Sequence, residues 1–260
     1  MATRTSHLPG TFSWVDLQTS DPDAAQGFYS SLFGWVYDIR PTGEGGTYGM
    51  AQVDGEYVAA VAPMPPGAQF PPHWNSYVTV ESADATAAKA RELGGATPME
   101  PFDVFDAGRM GVIADPTGAM VLVWQPKDHI GAGRVNDAGC FIWNELGTKD
   151  PESAARFYAD LLGWAYEEQD MGGGATYRTI KNGERDNGGI RAQTEMEAEV
   201  PPNWLVYFAT EDVDASAAKA SELGGNVIQP PFDIPTGARI AVVADPQGAV
   251  FALYEGEVHD

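Results

Sequence analysis

The sequence predicts an α+β protein of two tandem domains, each containing two βαβββ modules. The main observation is a duplication: residues 13–124 recur at 142–254, at an offset of 129 positions at first and 130 later. All seven tryptophans fall on paired positions, with Trp124 answered by Tyr254. Because this period is too long for a solenoid repeat, we expect residues 1–127 and 128–260 to fold as two domains related by approximate two-fold symmetry.

The first half of each copy predicts a strand, a capped helix and further strands. The segment from Trp14 to Thr19 alternates like a half-buried strand, and Ser20-Asp21-Pro22 then supplies a helix N-cap with proline in the first turn. Gly34 can end this helix, as Gly163 can in the second copy. Glycine-rich hairpins at 42–46 and 172–174 lead to short strands around Tyr48 and Tyr177.

The second half of each copy repeats the same order of elements. After a proline-rich loop come a strand at 75–80, an alanine-rich helix at 84–95 ended by Gly-Gly, and three strands. The second copy gives a strand at 205–210 and a helix at 214–225. This order excludes a doubly wound sheet, which needs strands and helices to alternate throughout. The linker between the copies is predicted at Pro126–Asn136.

Composition restricts the classes of partner. The net charge of −22 repels nucleic acid and anionic membrane surfaces and attracts cations, although acidity also keeps a protein soluble. The single cysteine, Cys140, excludes an internal disulfide and is expected to be a small core residue. The N-terminus lacks the apolar stretch of a signal peptide and no segment is long enough to span a bilayer, so we expect a cytoplasmic protein.

Several motifs occur in both copies and in the same order. They are Asp21-Pro22, Phe28-Tyr29, Gly34-Trp35, Glu92-Leu93-Gly94-Gly95 and Ala114-Asp115-Pro116-Thr117-Gly118. Together they resemble the vicinal oxygen chelate superfamily, which includes glyoxalase I, extradiol dioxygenases, fosfomycin-modifying enzymes and bleomycin-binding resistance proteins. More narrowly, the chain resembles the tandem glyoxalase-like proteins of actinomycetes, including those that accompany anthracycline biosynthesis. The resemblance implies that the two modules of each domain form a curved half-barrel sheet.

The resemblance also implies three metal-ligand positions in each domain, normally His, Gln or Glu. Carried over by motif, they fall on Trp14, Asn75 and Leu122 in the first copy. In the second copy they fall on Trp143, Leu205 and Ala252. Indole and aliphatic side chains offer no lone pair for a metal, so we expect no metal and no cofactor.

Side chains two apart on a strand share a face, so the neighbours of these positions are also predicted to face the concave side of each sheet. We call these concave faces the first cup and the second cup. The predicted inward residues of the first cup are Trp14, Asp16, Gln18, Asn75, Tyr77, Thr79, Leu122 and Trp124. Those of the second cup are Trp143, Glu145, Gly147, Leu205, Tyr207, Ala209, Ala252 and Tyr254.

Each cup thus carries three aromatics and one carboxylate. Such a set suits a flat cationic molecule through stacking, cation–π contact and ion pairing, although tryptophan can also simply fill an empty half-barrel. The predicted ligand contacts are Trp14, Asp16, Asn75, Tyr77, Leu122, Trp124, Trp143, Glu145, Leu205, Tyr207 and Tyr254.

The sequence therefore favours a metal-free protein that binds an aromatic, cationic antibiotic or biosynthetic intermediate, in sequestration, resistance or as a pathway accessory. The alternative is a glyoxalase-like or hydroxylase-like enzyme on a small aromatic or carbonyl substrate, using His73, Asp16 or Glu145. A third possibility is a structural protein whose cups are filled by its own side chains. A biosynthetic enzyme is a candidate partner, and both a monomer with internal pseudo-two-fold symmetry and a homodimer stay open.

Overall fold

A computed structural model describes residues 2–43 and 46–257 of the chain. Residues 44 and 45 of the predicted first hairpin and His259 near the C-terminus lie outside the described residues. Each half of the chain folds into one eight-stranded sheet with two helices.

The first domain contains, in order, β2 (Phe12–Thr19), α1 (Pro22–Phe33), β3 (Val36–Gly43), β4 (Gly46–Val53), β5 (Glu56–Pro63), β6 (His73–Thr79), α2 (Ala83–Glu92), β7 (Ala96–Val104), β8 (Gly108–Ala114) and β9 (Met120–Pro126). The second domain contains β11 (Phe141–Thr148), α3 (Pro151–Leu162), β12 (Ala165–Gly172), β13 (Ala175–Asn182), β14 (Arg185–Ala192), a 3-10 turn (Glu195–Glu197), β15 (Asn203–Ala209), α4 (Val213–Glu222), β16 (Asn226–Asp233), β17 (Arg239–Ala244) and β18 (Val250–Glu255). Two short strands, β1 (Ala2–Thr3) and β10 (Arg134–Val135), pair with each other.

The sheet orders confirm the prediction of two βαβββ modules per domain. The strands run β3-β4-β5-β2-β6-β9-β8-β7 in the first sheet and β12-β13-β14-β11-β15-β18-β17-β16 in the second. The modules join at the centre, where β2 pairs antiparallel with β6 and β11 with β15. Each domain is therefore a curved half-barrel rather than a doubly wound sheet.

Local sequence signals begin and end α1 and α3 as expected. The Asp21 carboxylate accepts from the Ala24 N–H at 3.1 Å, and Gly34 closes α1 in the left-handed conformation at φ +75°. Asp150 and Gly163 do the same for α3. The helices α2 and α4 end at residues 92 and 222, three residues before the ends that the Gly-Gly pairs predicted. Leu93 and Leu223 are the C-caps, and the first glycine of each pair already turns the chain away with a positive φ.

The two domains pack through the helix-bearing faces of their sheets. Helix α1 lies against α4, α2 lies against α3, and one continuous apolar core includes residues of both domains. Within it, Phe208 of the second domain contacts Phe33, Trp35 and Trp74 of the first at ring-centroid distances of 5.3, 5.5 and 5.0 Å. The two concave faces consequently lie on the sides of the sheets that the helices do not cover.

Buried hydrogen bonds add to this interface. The Tyr29 hydroxyl donates to Asp245 of the other domain at 3.1 Å and accepts from the Trp74 indole N–H at 3.1 Å. The Ser76 hydroxyl donates to the side-chain oxygen Oδ1 of Asn144 at 2.7 Å. Burial of polar groups is costly unless they are paired, so these bonds favour one fixed arrangement of the domains.

A β-bulge at the start of β2 decides where Phe12 and Trp14 point. Phe12 pairs with Val78 and Trp14 with Tyr77, so the chain carries one extra residue, Ser13, between them. As a result Phe12 turns to the domain interface, where it contacts Trp164 and Trp204, while Trp14 faces the cup. The second domain has the same irregularity between Phe141 and Trp143.

Cys140 is buried, as predicted, and burial raises the pKa of its thiol to about 12. No helix among the described residues is long and apolar enough to cross a membrane.

Candidate functional site

Strand pairing places the predicted inward residues of the first cup side by side. Asp16 of β2 lies opposite Asn75 of β6, and Tyr77 lies between Trp14 of β2 and Leu122 of β9. Residues of both cups border one connected depression with a cavity volume of about 2280 Å³. The two cups differ sharply, however, in how their floors are filled.

In the first cup the aromatic floor is covered by the chain itself. Trp14 is 3% exposed and Trp124 is 5% exposed. The imidazole of His129, from the linker, lies edge-on to the Trp14 ring at a centroid distance of 4.6 Å and 5.9 Å from that of Trp124. The Trp124 indole N–H also donates to the His129 carbonyl oxygen at 2.8 Å. Burial, followed by the charges of Arg40 and His7, lowers the pKa of His129 to about 4, so this ring is neutral at neutral pH.

The linker that carries His129 is hydrogen-bonded along its length to β2 and β5. The Ala132 N–H donates to the Ser13 carbonyl oxygen in the β2 bulge at 2.7 Å, and the Gly133 N–H donates to the Tyr57 carbonyl oxygen at 2.8 Å. A Cβ at Gly131, whose φ is +106°, would fall 2.4 Å from the Ser13 carbonyl oxygen, so this close approach needs glycine. The sequence predicted a linker here from its polar, aperiodic composition, which gave no sign of this packing.

Asp16 is buried beneath the tryptophan and is held by neutral donors. One carboxylate oxygen accepts from the Asn75 amide at 2.9 Å, and the other accepts from the hydroxyls of Tyr77 at 2.6 Å and Tyr48 at 2.9 Å. The Tyr48 oxygen in turn accepts from the Trp14 indole N–H at 3.0 Å. Burial raises the pKa of Asp16, and the three hydrogen bonds only partly oppose that rise.

His73 lies at the mouth of the first cup, two residues before Asn75 on β6 and on the same face of that strand. Its Nε2 is 3.2 Å from the Asn75 side-chain oxygen and its Nδ1 is 3.0 Å from the Pro71 carbonyl oxygen. A hydrogen-bonded chain His73–Asn75–Asp16 therefore runs from the cavity to the buried carboxylate.

In the second cup the floor is partly open. Trp143, Leu205 and Tyr254 are half-buried and line the cavity, while Tyr207 and Ala252 lie buried beside them. The Trp143 indole N–H donates to the Tyr177 hydroxyl at 2.9 Å, matching the Trp14–Tyr48 bond of the first cup. A small apolar cluster that is separate from the main core surrounds this floor; it includes Ile142, Trp143, Leu205, Tyr207, Ile234, Ile240, Ala252 and Tyr254.

The carboxylate of the second cup has a cationic partner. Glu145 accepts from the Arg191 Nε–H at 2.7 Å and from the Tyr207 hydroxyl at 3.1 Å. Arg191 also forms a bidentate pair with Glu197 at 2.7 and 2.8 Å. The hydrogen bonds from Arg191 lower the pKa of Glu197 to about 2. Burial lowers the pKa of Arg191, but the bonds to Glu197 and the charge of Glu145 outweigh it and raise that pKa above its usual value.

The three metal-ligand positions of each domain do not offer a metal-binding set. The indole N–H groups of Trp14 and Trp143 are engaged as hydrogen-bond donors, and Leu122, Leu205 and Ala252 have no donor atoms. Among residues 2–43 and 46–257, no three His, Cys, Asp or Glu side chains cluster in a way that could hold a metal ion. These residues do not fit the metal of the superfamily's enzymes.

Four residues of these networks were missed by sequence reasoning: Tyr48, Tyr177, Arg191 and His129. Tyr48 and Tyr177 occupy equivalent positions in the duplication and are tyrosine in both copies, which was a usable signal. Arg191 stands where the first copy has Ala62, so the duplication gave no indication of it. His129 reaches the first cup only through the path of the linker.

Comparisons with known proteins agree with this architecture. The family model described as Glyoxalase/Bleomycin resistance protein/Dioxygenase superfamily matches residues 11–123 and 135–253. The protein named "Putative glyoxylase CFP32" of Mycobacterium tuberculosis is 49% identical over 97% of each chain. "Anthracycline biosynthesis protein DnrV" of Streptomyces peucetius is 35% identical over 96% of this chain and 95% of its own.

Solved structures show the same fold at much lower identity. The 2,3-dioxygenase LapB of Pseudomonas sp. KL28 superimposes with a TM-score of 0.70 at 14% identity, covering 98% of this chain and 95% of that one.

Proposed function

The chain belongs to the Glyoxalase/Bleomycin resistance protein/Dioxygenase superfamily, and we propose that within it this protein is a metal-free receptor for an aromatic, cationic small molecule. The observation that carries the proposal is the half-open aromatic floor of the second cup, formed by Trp143, Leu205 and Tyr254. Concave sites with an apolar, aromatic lining and few polar groups are the usual form of small-molecule sites.

The aromatic part of the proposal follows from stacking. The indole N–H of Trp143 is fixed by Tyr177, so the ring is held in place while part of its surface stays accessible. A pre-oriented ring loses little conformational entropy when a planar ligand stacks on it.

The cationic part follows from the charges around the floor. Glu145 and Glu197 flank the single guanidinium of Arg191, so the ionised group of three carries one net negative charge. The whole chain carries −22, which raises the local concentration of cations. Because Glu145 is already paired with Arg191, a ligand cation gains less here than it would from a free carboxylate.

The biological role that fits such a receptor is sequestration, resistance or service as a pathway accessory. The relative of Streptomyces peucetius is named for anthracycline biosynthesis, and the aromatic floor of the second cup suits a planar ligand. A biosynthetic intermediate or antibiotic of that shape is the ligand we propose.

The decisive experiment is a titration of tryptophan fluorescence with proflavine, a planar cation, and with an aminoanthracene as its neutral analogue. We expect proflavine to quench the fluorescence and Trp143→Leu to weaken its binding about tenfold, since ring stacking is worth roughly 1–3 kcal/mol. Trp14→Leu is the matched control at the equivalent position and should leave the affinity unchanged. Equal binding of proflavine by the wild type and Trp143→Leu contradicts the site, and equal affinities for both probes contradict its charge preference.

Elemental analysis of the isolated protein tests the metal-free part separately. We expect well under one equivalent of zinc, iron, nickel or manganese per chain. About one metal per cup, removable with loss of an activity, is the contradicting result.

One observation favours an enzyme as the second candidate, namely the His73–Asn75–Asp16 chain that leads from the cavity to a buried carboxylate. The relative of Mycobacterium tuberculosis is named a glyoxylase, so a small carbonyl substrate is the first to test. Turnover of methylglyoxal in the presence of a thiol, lost in His73→Gln and Asp16→Asn, supports this candidate; no turnover with or without added divalent metal argues against it.

A further inference from the structure

A recess beside Arg191 in the second cup is not explained by the aromatic floor. Gly147 of β11 and Arg191 of β14 lie opposite each other on neighbouring strands, and both line the cavity. A Cβ at Gly147 would lie 3.6 Å from Arg191 Nη2 and 3.6 Å from Gln193 Cγ, which is ordinary van der Waals contact. The missing side chain of Gly147 thus leaves room for at least a Cβ-sized group against the guanidinium, on the wall of the cavity.

The first cup has no such recess. Its equivalent pair is Gln18 on β2 and Ala62 on β5, which lie opposite each other in the same register. There the long side chain belongs to the central strand, and the outer strand carries the small residue. In the second cup the long residue is on the outer strand and the small one on the central strand, so this cup alone has space beside a long side chain, that of Arg191.

Arg191 retains one donor that points to no acceptor among the described residues. A guanidinium has five N–H groups in one plane. Nε donates to Glu145, Nη1 donates to Glu197 and to the Ala192 carbonyl oxygen at 3.2 Å, and Nη2 makes one bond to Glu197. The second N–H of Nη2 remains, and Nη2 is the guanidinium atom nearest to the Gly147 position.

Gln193, whose Cγ lies beside the Gly147 position, carries an unsatisfied acceptor. Its Nε2 donates to the carbonyl oxygens of Val200 at 3.0 Å and Pro201 at 3.3 Å, which fixes the orientation of the amide. Its Oε1 is buried and, within the part of the chain that the structure describes, accepts no hydrogen bond. A buried polar atom without a partner is costly, so a water or a ligand group is expected there.

The charges around the recess select a neutral group. Glu145 and Glu197 lie on either side of Arg191 and would repel an anion that approached Nη2. A neutral oxygen can accept the remaining N–H without that repulsion, and a hydrogen bond from a charged donor is stronger than one between neutral groups.

We propose that the recess beside Gly147 is a subsite for a neutral oxygen substituent on the aromatic ligand, a ring carbonyl or hydroxyl that accepts from Arg191 Nη2. The subsite rests on the proposed function, because the ring system that carries the oxygen lies on the floor of the same cup. It assigns Gly147 and Arg191 as specificity-determining residues.

Two neutral probes on the same three-ring frame test the subsite by calorimetry: an aminoanthracene and the corresponding aminoanthraquinone, which carries ring carbonyls. The wild type should bind the aminoanthraquinone about tenfold more tightly, the effect expected of one charge-assisted hydrogen bond. Gly147→Gln introduces the residue of the first cup and should bring the affinity ratio to about one. Gly147→Ala should lower the affinity ratio in part. Because its Cβ fits without a clash, this variant still tests the subsite if Gly147→Gln fails to fold.

Gln18→Gly is the matched control in the first cup and should leave the ratio at about ten. A ratio of one in the wild type overturns the subsite while leaving the aromatic floor as a binding site. A ratio that persists in Gly147→Gln also overturns it. If neither probe binds the wild type while proflavine does, the subsite is overturned and the aromatic floor stands as a binding site; if proflavine does not bind either, the proposed function fails as well.

Discussion

In the first cup, His129 lies against Trp14 and Trp124; in the second, the equivalent surface of Trp143 and Tyr254 borders the cavity. Both cups have the same strand order, the same bulge and the same indole-to-tyrosine hydrogen bond. What differs is whether another part of the chain covers the aromatic floor. Duplication of a fold thus preserves the shape of a site more readily than its accessibility.

The two carboxylates differ in the same way. Asp16 is held by three neutral donors, whereas Glu145 is paired with Arg191. A buried carboxylate without a cation is costly to ionise, while one beside a guanidinium is stabilised as an anion. Chemically similar residues at equivalent positions therefore have different electrostatic roles.

The largest expected difference between the cups is in stability on loss of the tryptophan. Trp14→Ala should lower the free energy of unfolding by about 3–5 kcal/mol, because it removes a buried ring and leaves a cavity. Trp143→Ala should cost about 1–2 kcal/mol, since its ring is only partly buried. Urea denaturation of both variants measures this. Equal losses would mean that the second cup is as closed as the first.

The next effect concerns the pH dependence that His129 introduces. Its pKa in the folded protein, about 4, lies below the value of 6.5 for an unperturbed histidine, so folding favours the neutral ring. This contribution is fully present above pH 6.5 and is lost as the pH falls toward 4, a change of about 3 kcal/mol. His129→Phe keeps an aromatic ring and should remove that part of the acid destabilisation. Identical pH profiles of unfolding for wild type and variant would show that His129 does not occupy the cup in solution.

A smaller effect is expected on breaking the ion pair of the second cup. Glu145→Gln should lower the free energy of unfolding by about 2 kcal/mol, because Arg191 loses one of its two carboxylate partners but keeps Glu197. The double variant Glu145→Gln with Arg191→Met should recover part of that loss. A double-mutant cycle with no coupling between the two positions would contradict the pair.

The last comparison concerns the pH dependence that the carboxylate of the first cup introduces. Burial raises the folded-state pKa of Asp16, so its contribution to stability is greatest below its unfolded pKa and declines as the pH rises through the folded value. The unfolding free energy of the wild type minus that of Asp16→Asn should therefore fall as the pH rises above about 4, by roughly 1.4 kcal/mol for each unit by which the folded-state pKa exceeds the unfolded one. A difference that grows with pH over this range would have the wrong sign for a buried carboxylate held by neutral donors.

Much of the fold could be predicted because its signals are local and occur twice. The Asp-Pro N-caps, the glycine C-caps and the alternating strands depend on residues a few positions apart. Trp74 and Trp204 are buried in the core, as alternation along a strand requires of residues adjacent to the inward positions Asn75 and Leu205. The predicted ligand contacts in the cups stay predictions, although the structure places them on the concave faces.

The sequence by itself determined the duplication, the βαβββ order, the inward face of each strand and the unsuitable residues at the metal positions, because periodicity and residue chemistry can be read without coordinates. Only the tertiary structure decided which cup is filled. The insertion of His129 depends on the path of the linker across the β2 bulge, and the pairing of Glu145 depends on Arg191 from a strand 46 residues away. Such contacts arise from packing between distant segments, and neither hydrophobic pattern nor motif spacing encodes them.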